Sequence, residues 1–297
     1  MSVGLYLLEQ LMNGICQGSI YAMIAIGYTL IFGVTGLVTF CYGEIVMMGG
    51  FAAYYVFNWL GVIFPLALVA AFLFSAFVGF FVHKICYERF LSAPRHVSLL
   101  CTIGMSTLLR NLAQILFSLD MKSMPTILAG KYFRLFGKLR ITYLQILIMG
   151  IVVLLSILLT VFLNKTRTGA ALRCVKQDKK AAALLGIDAS RMTLLGNCLG
   201  SGLGGIAGVL YCITYMSVYA TMGSTIGRIG FSSAVLGGMT NIPVSAAGGV
   251  IIGILENLSI VFVSASLRNG VAFLFLIVVL IFLPQGIGNK KKGELKL

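Results

Sequence analysis

Three ionisable side chains, Glu44, Arg110 and Glu256, fall inside long apolar stretches of this sequence. A charge at the centre of an apolar layer costs roughly 2.5 to 3.5 kcal/mol on insertion scales. Each such residue therefore needs a partner on a neighbouring helix, a watery route or a gate. Glu256 stands about twelve residues, ~18 Å, into its stretch, near the middle of a spanning helix. A group facing a pathway and a packing carboxyl are equally open readings there. Arg110 lies about eight residues, ~12 Å, from one end of its stretch, so its guanidinium is expected to snorkel to the interface. Glu44 follows Gly43 and precedes Gly49-Gly50. Glycines in that pattern predict a broken helix, tolerable only beside protein or a water-filled cavity, which leaves a gate or pathway role open for Glu44.

Groups for bond-making chemistry are sparse. The two histidines, His83 and His96, sit at the end of one apolar run and in a basic loop. The seven cysteines are scattered without a Cys-x-x-Cys pair and read as small buried side chains. No catalytic or metal site is predicted, and an intramembrane enzyme finds no nucleophile with its base. No Gly-x-x-x-x-Gly-Lys-Ser/Thr loop is present to cradle a nucleotide. No cofactor is expected on this chain. A channel or secondary transporter acting alone would call for relay charges or a filter motif beyond two buried carboxylates.

The elements that must position these residues follow from composition. The 297 residues are 59% hydrophobic and 10% charged, where soluble proteins carry roughly 25% charged residues. The expected fold class is all-α: a polytopic transmembrane helical bundle of about eight to ten spans with broken or re-entrant segments. The apolar runs lie near 5–32, 37–60, 62–82, 97–118, 141–163, 192–218, 244–265 and 268–284, with a weaker glycine-rich stretch at 226–241. They are continuous, not alternating as in a barrel. The chain reads as a single transmembrane domain over 1–297, with the first run retained as a span.

The net charge of +14 sits mainly between apolar runs. It is read as a topology signal and not as a nucleic-acid surface. Loop 83–96, segment 164–191 and the lysine-rich tail are the basic segments placed in the cytoplasm, on a plasma (bacterial inner) membrane. Parity then requires 226–241 to cross, or another run to be re-entrant. It also puts loop 119–140 outside despite its five basic residues.

Segment 164–191 has helix signals throughout. Thr168 is expected to cap a helix, Gly186 to end it, and Asp188 or Ser190 to start the next. Leu172, Val175, Ala182 and Leu185 fall near one face, with Arg173, Lys176 and Lys180 near another. Spacing alone leaves two readings open: a connector lying on anionic lipid, or a docking helix for a soluble partner.

The order of motifs along the chain resembles the branched-chain amino acid permease family of ABC importers. Carrying that resemblance are Asn13-Gly14, Gly18-Ser19-Ile20-Tyr21-Ala22, Thr39-Phe40-Cys41-Tyr42-Gly43-Glu44, Ile103-Gly104-Met105-Ser106, Ala234 to Gly238, Gly248-Gly249 and Leu283-Pro284-Gln285-Gly286-Ile287. Segment 164–191 resembles the family's cytoplasmic coupling loop through Gly169, Arg173, Asp178, Ala181, Ala182, Leu185, Gly186 and Ile187. The chain departs from the family pattern at Thr39, Cys41, Tyr42, Arg110, Thr240-Asn241 and Val244-Ser245.

The resemblance implies a passive translocation subunit. Gly169, Arg173, Asp178, Ala182, Leu185 and Gly186 would couple it to ATPase subunits. Asn13, Ser19, Gly43, Glu44, Gly237, Gly238 and Glu256 are candidates for the pathway or gate. The implied partners are a second homologous permease in a heterodimer, two cytoplasmic ATP-binding subunits and an extracytoplasmic solute-binding protein. The implied cargo is a small hydrophobic amino acid such as leucine, isoleucine or valine, with a sugar, nucleoside or urea as the alternative.

Overall fold

The computed structural model describes residues 3–61, 63–90, 95–125, 132–135, 139–239 and 241–262, with isolated positions further on. Most of the run 268–284, the lysine tail, the Leu283–Ile287 motif and Thr240 lie outside the described residues.

Ten α-helices carry the described fold. They are α1 (Val3–Thr35), α2 (Tyr42–Leu60), α3 (Phe64–Val82), α4 (Arg95–Phe117), α5 (Tyr143–Lys165), α6 (Arg167–Gln177), α7 (Lys179–Leu184), α8 (Ala189–Tyr215), α9 (Met222–Leu236) and α10 (Ile242–Phe262). Among the described residues, six helices are long and apolar enough to cross a membrane: α1, α3 with its extension to Phe90, α4, α5, α8 and α10. In α1 and α8, 83% and 78% of the apolar window is buried, against 22% for α4 and 17% for α5. The first two form the centre of the bundle. The helices α3, α4 and α5 turn Leu, Ile, Val and Phe outward, which a soluble protein of this size could not do.

Glycines set the spacing at the centre. A methyl added at Gly18 would fall 2.7 Å from Val250 Cα, and one at Gly14 2.9 Å from Ile254 Cα, so α1 and α10 touch backbone to backbone. The Gly200-Gly204-Gly208 stripe of α8 lies against Ile31, Tyr42 and Val46. It is a close helix contact of the kind small residues permit where lipid removes the hydrophobic drive for association.

One expectation about a broken helix is revised. The helix α2 runs without interruption from Tyr42 through Gly49-Gly50 to Leu60, and the discontinuity lies earlier, between Thr35 and Tyr42. Gly49 and Gly50 admit Gly205 and Cys212 of neighbouring segments and do not open the backbone. In the second glycine-rich region the chain does turn, at Gly238 with φ +83°. The preceding α9 has 15 residues, ~22 Å long, short of a ~30 Å hydrocarbon core.

Four short strands complete the fold. β1 (Lys122–Ser123) pairs antiparallel with β4 (Ser217–Val218), and β2 (Tyr132–Leu135) with β3 (Leu139–Thr142). The β1–β4 pair joins the α4–α5 loop to the α8–α9 link. That strand end and the α6–α7 end are separated by the full lengths of α5 and α8.

Candidate translocation cleft and coupling segment

The segment after α5 is two helices, not one. Thr166, rather than Thr168, caps α6, its Oγ1 accepting from the Gly169 amide at 3.0 Å. Asp178 leaves the helical region (φ −153°, ψ 115°), and its Oδ1 accepts from the amides of Lys180 at 2.8 Å and Ala181 at 3.2 Å. A short acidic side chain competes for free amides and is stronger as a cap than inside a helix, so the chain breaks there. The stop is a Schellman turn: Ile187 N donates to Ala182 O and Gly186 N to Ala183 O, both at 3.0 Å, with Gly186 at φ +77°. Asp188 then caps α8 through the Ser190 and Arg191 amides.

The two short helices do not share one buried face as the spacing suggested. Gly169, Leu172, Val175 and Ala182 are buried. Leu185 is not; it stands 74% exposed beside Leu184 at 89%, an apolar tip at the Schellman turn. Arg173 is exposed and its Nη1 donates to Asn164 Oδ1 at 2.8 Å.

Along α1, three clefts lie end to end, walled by α5. At the strand end a cavity of about 330 Å³ is lined by Asn13, Gln17, Gln145, Thr214, Tyr215 and Asn257 among others. Gln145 Nε2 donates to Asn13 Oδ1 at 2.7 Å across its rim. In the middle, about 390 Å³ is bounded by Ser19, Ala22 and Ile26 of α1, by Val152, Ser156 and Thr160 of α5, and by Ala246 and Val250 of α10. The hydroxyls here bond back to their own helices: Ser19 to Ile15 O, Ser156 to Val152 O and Thr160 to Ser156 O, at 2.7 to 2.8 Å. The wall is left effectively apolar. At the α6 end, about 210 Å³ is enclosed by Thr29 and Gly33, Thr160 and Asn164, Arg173 and Lys176, and Asn241.

The candidate pathway residues distribute unevenly over this arrangement. Asn13 and Ser19 line the strand-end and middle clefts. Glu256 is fully buried one layer behind, where its Oε2 accepts from Tyr21 Oη at 2.8 Å and Gln17 Nε2 at 3.2 Å. Asn257 Nδ2 in turn donates to Gln17 Oε1 at 3.0 Å, so Gln17 links Glu256 to the cleft wall. Gly237 and Gly238 form the turn ahead of α10, with Gly237 packed on Ser245.

Gly43 and Glu44 are on the other side of α1, against α9. Gly43 meets Gly223 and Gly227. Glu44 is 1% exposed, and its Oε1 accepts from Ser106 Oγ at 3.4 Å. Its Oε2 has no hydrogen-bond partner among the described residues and backs onto Gly223. Arg110 is half-buried on α4.

Sequence reasoning missed Gln17, Gln145, Ser156, Thr160 and Lys176 as cleft residues. The signal was present as polar side chains recurring at helical spacing, Asn13 and Gln17 on α1 and Ser156 and Thr160 on α5. Among the described residues no group of three or more His, Cys, Asp or Glu could hold a metal ion.

Comparison with known proteins agrees over nearly the full length. The family described as branched-chain amino acid transport system / permease component matches residues 10–282. The high-affinity branched-chain amino acid transport system permease protein BraD of Pseudomonas aeruginosa is 34% identical over 97% of both chains. LivH of Escherichia coli K12, of the same description, is 33% identical over 98% of both. A probable branched-chain amino acid transport permease of Methanocaldococcus jannaschii is 27% identical over 96% of this chain and 93% of its own. No solved structure matches.

Proposed function

The chain belongs to the branched-chain amino acid transport permease family, and on that premise we propose that it is the membrane permease of an ABC importer that moves branched-chain amino acids across the plasma membrane. The observation that carries this reading is 33–34% identity over 97–98% of both chains to permeases of high-affinity branched-chain amino acid systems.

The route for cargo is the column of clefts between α1, α5 and α10. It runs from a neutral polar mouth through an aliphatic middle to a cationic end. A branched aliphatic side chain suits the middle section, because hydroxyls already bonded to their own helices offer it apolar surface and nothing to bind tightly. The clefts are half-open on the flank, and a second homologous permease, in a heterodimer, would close them. A solute-binding protein would deliver at the strand end.

Two ATP-binding subunits would dock on α6–α7, with Leu184 and Leu185 as the apolar tip and Gly169, Arg173, Asp178, Ala182 and Gly186 holding the segment's shape. A rigid element of this kind passes a domain motion into packed helices. ATP is used there, this subunit holds no cofactor, and the C-terminus faces the cytoplasm with α6–α7.

The test is uptake into proteoliposomes carrying the complete complex, over a panel of labelled leucine, isoleucine, valine, glutamate, arginine and a sugar. ATP-dependent uptake confined to the three aliphatic amino acids is expected. Uptake without nucleotide, or of the sugar alone, overturns the assignment.

A further inference from the structure

The glycine-rich stretch 226–241 holds one ionisable residue, Arg228, and it belongs neither to the clefts nor to the coupling segment. Helix α9 is two-faced around it. Gly223, Gly227 and Gly230 are buried against α2 and α1. Thr221, just ahead of the helix, and Ser224, Thr225 and Arg228 recur at three- and four-residue spacing on the far side, where Thr221 and Arg228 are exposed. Among the described residues Arg228 has no carboxylate partner, and its Nη2 reaches Thr225 Oγ1, on its own helix, at 3.5 Å.

The neighbours of Arg228 set its depth. The Gly227 carbonyl oxygen accepts from Tyr28 Oη at 3.4 Å, and Gly230 packs on Ile24. Ile24 and Tyr28 lie ~10 to 16 Å back along α1 from its end at Thr35, inside the layer that α1 is long enough to span. An arginine turned to lipid at that depth is costly. A water-filled route suits this face no better. One turn on from Arg228 stands Phe231, with the Phe40 ring 6.2 Å away between centroids, and Phe40 is 46% exposed. An arginine beside exposed aromatic rings is the composition of a protein–protein contact.

We propose that this face of α9, together with Phe40, is the contact surface for the second permease, and that Arg228 pairs there with a carboxylate carried at the same depth by that subunit. The inference rests on the heterodimer reading above and names the surface and the chemistry that select the partner. A second copy of this chain does not fit. A two-fold contact between copies brings one patch against itself, which supplies Arg228 with no anion. Of the eight acidic residues in the chain, Glu44 and Glu256 stand within the apolar runs, and both are buried, at 1% and 0% exposed. The others lie near span ends, in loops or in the tail. A homologous subunit with an acid opposite satisfies Arg228, and the unmatched cations then work against pairing of identical chains.

The test uses the complete complex, with the two permeases carrying different tags and a photocrosslinking amino acid in place of Ser224. Irradiation is expected to join this chain to the second permease, on a peptide with an Asp or Glu within one helical turn of the adduct. Arg228→Met should lower recovery of the second permease through the tag on this chain about tenfold after detergent extraction, and Arg228→Glu should lower it further, because each leaves a desolvated carboxylate unpaired. Arg228→Lys should keep most of it. Immunoblots of the same membranes for this chain separate lost pairing from lost folding, and should the charge variants fail to accumulate, the crosslink alone decides.

A crosslink to lipid, to a second copy of this chain or to no partner overturns the surface, as does full recovery in both Arg228→Met and Arg228→Glu. Such a result with the second permease still copurifying leaves the heterodimer standing. If two differently tagged copies of this chain pair and no second permease is recovered, the heterodimer reading falls with it.

Discussion

Lys179 Nζ donates to the carbonyl oxygen of Thr35 at 3.0 Å, fastening the first residue of α7 to the last residue of α1. Thr35 O is among the carbonyls that a helix C-terminus leaves without an internal partner, and a cation there also complements the helix dipole. The bond joins the segment that would meet the ATPases to the helix that walls all three clefts. Lys179→Met is expected to loosen that joint: ATP hydrolysis by the assembled complex continues, while leucine moved per ATP falls several-fold. Parallel assays of phosphate release and uptake measure it, and an unchanged ratio would show that the joint carries no coupling.

The Schellman turn gives a second prediction. Gly186 sits at φ +77° and its amide bonds to Ala183 O. Proline fixes φ near −65° and has no N–H, so Gly186→Pro cannot keep either feature. The variant should insert in the membrane at normal level and fail to stimulate its ATPases. Copurification of the ATP-binding subunits with an affinity-tagged permease reports the docking. Leu184→Asp with Leu185→Asp should lose the same subunits without disturbing the turn, since both side chains are already exposed.

The carboxyl buried behind the cleft makes a third. Glu256→Leu removes the acceptor for Tyr21 and Gln17 and leaves their donors buried, a cost of about 1 to 3 kcal/mol. Glu256→Gln keeps an oxygen for them. The leucine variant should therefore melt several degrees below the glutamine variant in detergent. Equal melting temperatures would mean that the carboxyl contributes nothing to joining α1 and α10.

How far the sequence foretold this arrangement depends on the kind of signal. Continuous apolar runs place α1, α3, α4, α5, α8 and α10, because a spanning helix must be apolar over its whole length. The stop at Gly186 was also legible, and the next start was narrowed to Asp188 or Ser190, since both are local backbone chemistry. The break at Asp178 was not. Its helix-forming neighbours dominate a propensity sum, and only the two amide bonds to its side chain show that capping prevailed. Gly43, Gly49 and Gly50 were misread for a related reason: a glycine that opens a backbone and one that admits a neighbouring helix look alike in sequence. The cleft itself required knowing which helices touch. Glu256 stood out by charge, yet Gln17 and Thr160 face the cavities while Glu256 lies behind.

A fourth prediction follows from the contact of α1 with α10. Gly18 leaves no room for a side chain against Val250, so Gly18→Val must push α10 away from α1 or prevent their packing. The variant should be poorly retained in the membrane and rapidly degraded. Gly104→Val on α4, where nothing lies within 4 Å of the added carbon, should accumulate normally. Immunoblots of membrane fractions compare the two, and equal levels would mean the close approach is dispensable.

The most direct test of the account is ATP-driven uptake of labelled leucine by the complete complex carrying Ser156→Trp. Ser156 faces the middle cleft from α5, and an indole there fills the route without touching α6 or α7. The account predicts that the variant still assembles and hydrolyses ATP while leucine uptake is abolished. Uptake at the wild-type rate through the filled cleft would contradict it.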